Sequence, residues 1–247
     1  MQIALPCPYE KMILEPDVHQ LLATNLFGRI HEEDPGYLTL ERTPLLLSKS
    51  EASIATAGRA VWLDDPGGWF VTDKSDVNSL LQWMPQYVAP YFFLASNKQL
   101  CWKCDRSTEV FCLSSKGGYL NRCWPDDDED GEEAAQPVWS IADCGTFIGN
   151  LTLVNGRVKR FLSENCRNYR LDFSKMAESN YFMNHCDHCD AKFGDFFMHN
   201  EPGGAFFPTT EYEAGLIKLL RVEMPMLVHG SASVTSPDLL PFCTEIK

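Results

Sequence analysis

Cys101-Trp102-Lys103-Cys104 and Asn184-His185-Cys186-Asp187-His188-Cys189 are the two stretches whose reading decides the fold of this 247-residue chain. In each Cys-x-x-Cys pair the two-residue gap lets both sulfurs reach one ion at about 2.3 Å, and two pairs complete a tetrahedral, saturated set of four cysteines. That set predicts one structural zinc ion in a ribbon-like site held by Cys101, Cys104, Cys186 and Cys189. Compact ribbons leave about 15–20 residues between pairs, whereas 81 residues, 105–185, intervene here. Loop closure costs only about 0.6 kcal/mol per doubling of length, so the longer span adds roughly 1.3 kcal/mol. Binding of structural zinc is worth on the order of 10 kcal/mol, so the insertion is tolerable. Two separate redox motifs are the first alternative. They would place each pair at a helix start after a strand, and neither pair is followed by a helical pattern. A chance pairing of buried cysteines is the second. His185 or His188 as a ligand is a third, and four cysteines make it unnecessary.

Working outward from the pairs, strand-like runs approach and leave each of them. Residues 87–95 lead into the first pair and 108–113 leave it; 181–184 lead into the second and 194–198 leave it. Further strands are expected at 138–141, 146–153 and 157–162, the last two joined by an Asn155-Gly156 hairpin turn. Upstream, 60–63 and 69–72 flank Asp64-Asp65-Pro66-Gly67-Gly68 as a hairpin. Asp76 caps a short helix through Val77, Leu80, Leu81 and Trp83 that Pro85 stops. Thr210 and Glu213 form a capping box for a C-terminal helix, whose apolar face runs through Ala214, Leu216, Ile217, Leu219 and Leu220 to Pro225. Residues 231–247 read as loop. The predicted fold class is α+β, predominantly β, built around a zinc-ribbon-like four-cysteine site with a large insertion between the knuckles and a C-terminal helix. Three regions follow: 1–95, an N-terminal α+β region; 96–208, the zinc-ribbon region, with an acidic insertion loop at 126–133; and 209–247, the C-terminal helix and tail.

Hydrophobic residues make up 45% and aromatic residues 12% of the chain, enough to support a globular core. No apolar run approaches the roughly 20 residues that span a bilayer, and residues 1–14 lack the basic and apolar regions of a secretory signal. The expected compartment is therefore the cytoplasm. There, Cys7, Cys112, Cys123, Cys144, Cys166 and Cys243 read as thiols, small buried hydrophobes apart from the metal set. The net charge is −13, from 34 acids against 21 bases. Seven of the acids lie in 126–133, and without them the balance is 27 against 21, or −6. Nucleic-acid binding draws its affinity from Lys and Arg on phosphates, so this balance disfavours it. A basic protein partner suits the charge better.

The two pairs in their contexts, Cys101-Trp102-Lys103-Cys104 before Thr108-Glu109-Val110 and Asn184 to Lys192 before Gly194-Asp195-Phe196-Phe197, resemble bacterial zinc-ribbon proteins of unassigned function. The resemblance covers the knuckles and their hairpins. It implies zinc binding and a bacterial origin, and it supplies no activity. Asp105 and Asp190 stand where the ribbon pattern has glycine after its second cysteine. Aspartate also tolerates the left-handed backbone that a knuckle needs.

No phosphate-binding loop, nucleophile elbow or His-Glu-x-x-His pattern is present, and His19, His31, His199 and His229 are scattered. A nuclease of the His-Asn-His type would need an Asp-His pair between its knuckles, which is missing. A site saturated by four cysteines leaves no open position for catalysis at the metal. The aromatic run 196–208 is read either as a loop pinned to the core or as an exposed docking surface. The expected role is non-enzymatic: a zinc-stabilised cytosolic binding protein acting by protein–protein interaction, for instance an inhibitor or immunity protein of a basic toxin or effector. The alternatives are a zinc-ribbon nucleic-acid factor, whose basic face would be Arg157, Lys159, Arg160, Arg167 and Arg170, and an enzyme with an unrecognised site.

Overall fold

The computed structural model describes residues 26–33, 37–124, 137–233 and 237–247; the acidic loop 126–133 and Cys7 lie outside them. Among the described residues the first elements are a hairpin of β1 (Ile30–Glu33) and β2 (Tyr37–Leu40). Then β3 (Thr43–Pro44), α1 (Ala52–Ala57), β4 (Val61–Leu63), β5 (Gly68–Val71) and α2 (Val77–Leu80) follow. β3, β5 and β4 form a separate N-terminal sheet that encloses its own core of Leu45, Leu47, Ala55, Trp69, Val77 and Leu80. The expected hairpin over Asp64 to Gly68 is present, and Asp76 caps α2 by accepting from Ser79 N–H at 3.4 Å.

The long strands come next: β6 (Tyr87–Ala89), β7 (Phe92–Leu100), β8 (Ser107–Ser115), β9 (Tyr119–Cys123), β10 (Val138–Ala142) and β11 (Thr146–Val154). Helix α3 (Gly156–Asn165) leads into β12 (Tyr169–Ser174), β13 (Ser179–His185) and β14 (Lys192–Phe193). Two short helices, α4 (Asp195–His199) and α5 (Glu211–Leu216), precede β15 (Lys218–Val222), β16 (Met226–Ala232) and β17 (Thr244–Ile246). Among the described residues eleven strands make one sheet in the order β1-β2-β10-β9-β6-β16-β11-β8-β7-β15-β17, and β12, β13 and β14 make a third, small sheet. The main sheet thus draws strands from all three regions marked out in the sequence. The architecture is predominantly β with few helical residues, within the α+β class. Among the described residues no helix is long and apolar enough to cross a membrane.

The main sheet is buried on both faces, which explains why 91–95 is an unbroken apolar run rather than an alternating one. Tyr91, Phe93 and Ala95 point into a core shared with Phe147, Met198, Phe206, Ala214 and Ile217. Phe92 and Leu94 point the other way, against Val158 and Leu162 of α3.

Five expectations are corrected. Residues 157–162 are helix, not strand, because Val158, Phe161 and Leu162 recur at i, i+3 and i+4, and that stripe lies on the sheet. Asn155 does not turn a hairpin; its amide binds Pro225 O and Leu227 N, and Gly156 opens the helix. Of residues 194–198, Gly194 is the extended N-cap and 195–198 are helical in α4 rather than extended. The C-terminal helix stops at Leu216: Thr210 does cap it, accepting from Glu213 N–H at 3.2 Å. Residues Lys218–Val222 then pair with β7, so Leu219 and Leu220 alternate inward and outward with period two. Strand pairing overrides the helical spacing. The tail also carries the end of β16, a 3-10 turn at Pro237–Phe242 and the edge strand β17, which pairs in parallel with β15.

Candidate metal centre

The two knuckles sit at equivalent strand ends and repeat each other bond for bond. Cys101 follows β7, and its N–H donates to Arg106 O at 2.9 Å, while Asp105 N–H returns to Cys101 O at 2.9 Å. Cys186 follows β13; its N–H donates to Ala191 O and Asp190 N–H returns to Cys186 O, each at 2.9 Å. Asp105 and Asp190 close these turns with φ of 56° and 58°, the left-handed conformation that the positions require. Such a turn aims N–H groups at sulfur. His188 N–H lies 3.4 Å from Cys186 Sγ, and the Arg106 N–H beside Cys104 favours the thiolate there.

The four sulfurs converge. Cys101 Sγ lies 3.6 Å from Cys189 Sγ and Cys104 Sγ lies 3.7 Å from Cys186 Sγ, and all four fall within 4.8 Å of one another. A tetrahedron with bonds of about 2.3 Å has edges of about 3.8 Å, so the set fits one thiolate-bound ion. All four are free of disulfides. Cys101 and Cys186 are buried, whereas Cys104 and Cys189 are half-buried. Neither neighbouring histidine joins them. His188 Nε2 faces Ser107 O at 3.1 Å. His185 is buried with Nδ1 on Asn168 O and Met183 O and Nε2 on Asp172 at 3.0 Å.

What brings the knuckles together is a row of polar side chains along β8. β11 pairs with β8 only from Leu113 to Ser115 and then bulges between Gly149 and Leu153. Earlier in β8, side chains replace the missing strand. Asn184, fully buried, accepts from Phe111 N–H at 2.7 Å and donates to Phe111 O at 2.8 Å. Asn168 donates to Glu109 O at 2.6 Å, and Thr108 Oγ1 donates to Asp187 at 2.7 Å while accepting from Asp187 N–H. With His188 on Ser107 O, these contacts lock the second knuckle against the first through the protein itself. Lys192 and His185 hold the Asp172 carboxyl well below the usual carboxylate range, and Arg170 pairs with Asp190 at 2.6 Å. The indole of Trp102 donates to Lys192 O at 3.0 Å. The metal set is therefore framed by charge pairs on the small sheet.

Away from the cluster, Cys112, Cys166 and Cys243 are buried as expected. Burial pushes Cys166 up to about 12 and Cys243 up to about 11. Cys144 is disulfide-bonded, so the expectation of a thiol at every position outside the metal set does not hold there.

Sequence reading missed the interior of α4. Asp195 is buried at its first turn; Oδ2 accepts from Asn150 N–H at 2.6 Å, and Oδ1 has no hydrogen-bond partner among the described residues. Burial pushes its carboxyl up to about 7. His199, one turn on, stacks on Phe206 at 5.2 Å, its Nδ1 also lacks a partner among the described residues, and burial brings it down to about 3. Nothing in a lone Asp or His marks it as buried without a fold to bury it. No family model matches the sequence, and neither the curated proteins nor the solved structures contain a match to it.

Proposed function

We propose that Cys101, Cys104, Cys186 and Cys189 hold one structural zinc ion, and that the protein is a zinc-stabilised binding protein acting by protein–protein interaction. In its most specific form it is an inhibitor or immunity protein of a basic toxin or effector. The observation that carries the zinc reading is the tetrahedral spacing of the four sulfurs on two matching knuckles. A bound ion would cross-link the β7–β8 hairpin to the small sheet. Four thiolates would saturate it and leave no position for a substrate. A surface role then fits the charge of −13, which steers a basic partner. Metal analysis should find about one zinc per chain, and Cys186→Ser should lose the metal and lower the melting temperature. A metal-free protein with an unchanged melting temperature refutes the zinc. Affinity capture before and after nuclease treatment checks the rest: a stoichiometric basic protein that survives treatment supports the reading.

One observation favours a second reading. Arg157, Lys159 and Arg160 are exposed on α3, and Arg167 and Arg170 border a shallow groove beside Cys186 and Cys189. A nucleic-acid-associated factor would use that face. Binding of labelled RNA or DNA that weakens with salt, and again on charge reversal at Arg157 and Arg160, selects it over the first.

A further inference from the structure

Helix α4 is inside out. Its five residues, Asp195-Phe196-Phe197-Met198-His199, bury the aspartate and the histidine and expose the two phenylalanines. Phe196 is 56% and Phe197 65% exposed, packed edge to face at 5.6 Å. Burying polar groups without full hydrogen bonding costs free energy, and leaving a phenylalanine in water forfeits about 1.5–3 kcal/mol of burial. Stability alone would select the opposite orientation, and departures of this kind concentrate at functional surfaces.

The neighbouring surface continues the pattern. Phe206 N–H donates to Met198 O, seating the 201–207 loop on α4, and Met198, Phe206, Ala214 and Ile217 share one core, so α4 and α5 cover the same face of the main sheet. On their outer side α5 adds Tyr212, 78% exposed, and Leu216, 51% exposed. Residues 193–217 contain no lysine or arginine, while Glu201 and Glu211 are exposed. The layer is thus aromatic and acidic.

We infer that the outer face of α4 and α5 is the docking surface for a basic amphipathic segment of a partner protein. Phe196 and Phe197 serve as anchors, and Glu201 and Glu211 as the charged rim. This rests on the protein-binding reading above and names its surface. Aromatic anchors bounded by complementary charge are how interfaces concentrate affinity.

The test uses the full-length, zinc-loaded protein and a fluorescein-labelled 18-residue peptide of leucine and lysine in helical amphipathic order, read by anisotropy. A leucine–glutamate peptide of the same pattern serves as control. The leucine–lysine peptide should bind and the control should not. Phe196→Ser with Phe197→Ser should weaken binding at least tenfold, as should Glu201→Lys with Glu211→Lys, at unchanged melting temperature. Leu171→Ser with Phe173→Ser, at exposed apolar positions on the small sheet, should change nothing. Equal binding by the Phe196/Phe197 variant, or loss only in the Leu171/Phe173 variant, overturns this surface and leaves the basic-partner reading standing. No binding of the leucine–lysine peptide by the wild type overturns this docking surface, and the affinity capture decides the basic-partner reading separately. Concentration-dependent dimerisation that Phe196→Ser with Phe197→Ser abolishes overturns the proposal in favour of a second copy of this chain.

Discussion

Replacing Asp195 with asparagine should change the stability of the protein in a way that depends on pH with a known sign. The folded carboxyl titrates near 7, raised by burial from the ordinary value of 3.8. As pH rises past 3.8 the unfolded chain gives up this proton while the folded one keeps it. Stability contributed by the neutral carboxyl is present below 3.8, falls between 4 and 7, and is flat above 7. At about 1.4 kcal/mol per pH unit, the wild type loses about 2–3 kcal/mol from this one group between pH 5 and pH 8. The asparagine of Asp195→Asn does not titrate, and its carbonyl can still accept from Asn150 N–H. The amide group left at the unpartnered position adds a cost that does not vary with pH. Urea denaturation of both proteins, followed by tryptophan fluorescence at pH 5 and pH 8, isolates the difference. Release of metal in acid affects both equally and cancels. The variant should gain about 2–3 kcal/mol on the wild type between the two pH values, or about 1 M in urea midpoint. An unchanged gap, or one that closes as pH rises, refutes the argument that Asp195 is held neutral by burial.

Further outcomes follow from the same structure. His199, brought down to about 3, should show no imidazole protonation by NMR down to pH 4. Its contribution is present above 6.5 and is lost as pH falls, so His199→Phe should flatten the acid side of the stability profile. Asn184→Ala strands Phe111 N–H and C=O and should cost about 2–4 kcal/mol in urea denaturation, with weaker metal retention in a chelator competition. Asp105→Gly, at a left-handed position, should retain the metal and change stability by no more than about 1 kcal/mol in the stabilising direction.

Several elements were legible in the chain. The hairpin around Asp64 to Gly68, the strands on both sides of the first cysteine pair, the strand into the second and the cap at Asp76 depend on neighbours within a few residues, and local chemistry decides them. The errors share a cause. Val158, Phe161 and Leu162 carried a helical spacing that the adjacent Asn-Gly obscured. Leu219 and Leu220 fitted a helix until β7 offered them a strand partner more than a hundred residues upstream, at Ala95 and Leu94. Propensity over so few residues is worth less than one row of interstrand hydrogen bonds.

By itself the sequence determined that each of the two matched pairs can turn both its sulfurs to one point, because a two-residue gap constrains two sulfurs whatever surrounds them. It determined equally that aspartate could replace glycine in each knuckle. Only the tertiary structure decided what joins the pairs: Asn184, Asn168 and Asp187 completing the unpaired length of β8. It alone decided that α4 turns Asp195 and His199 inward and Phe196 and Phe197 outward. Burial is a property of contacts made across the whole sheet, and no local pattern of five residues encodes which side of a helix the rest of the chain will cover.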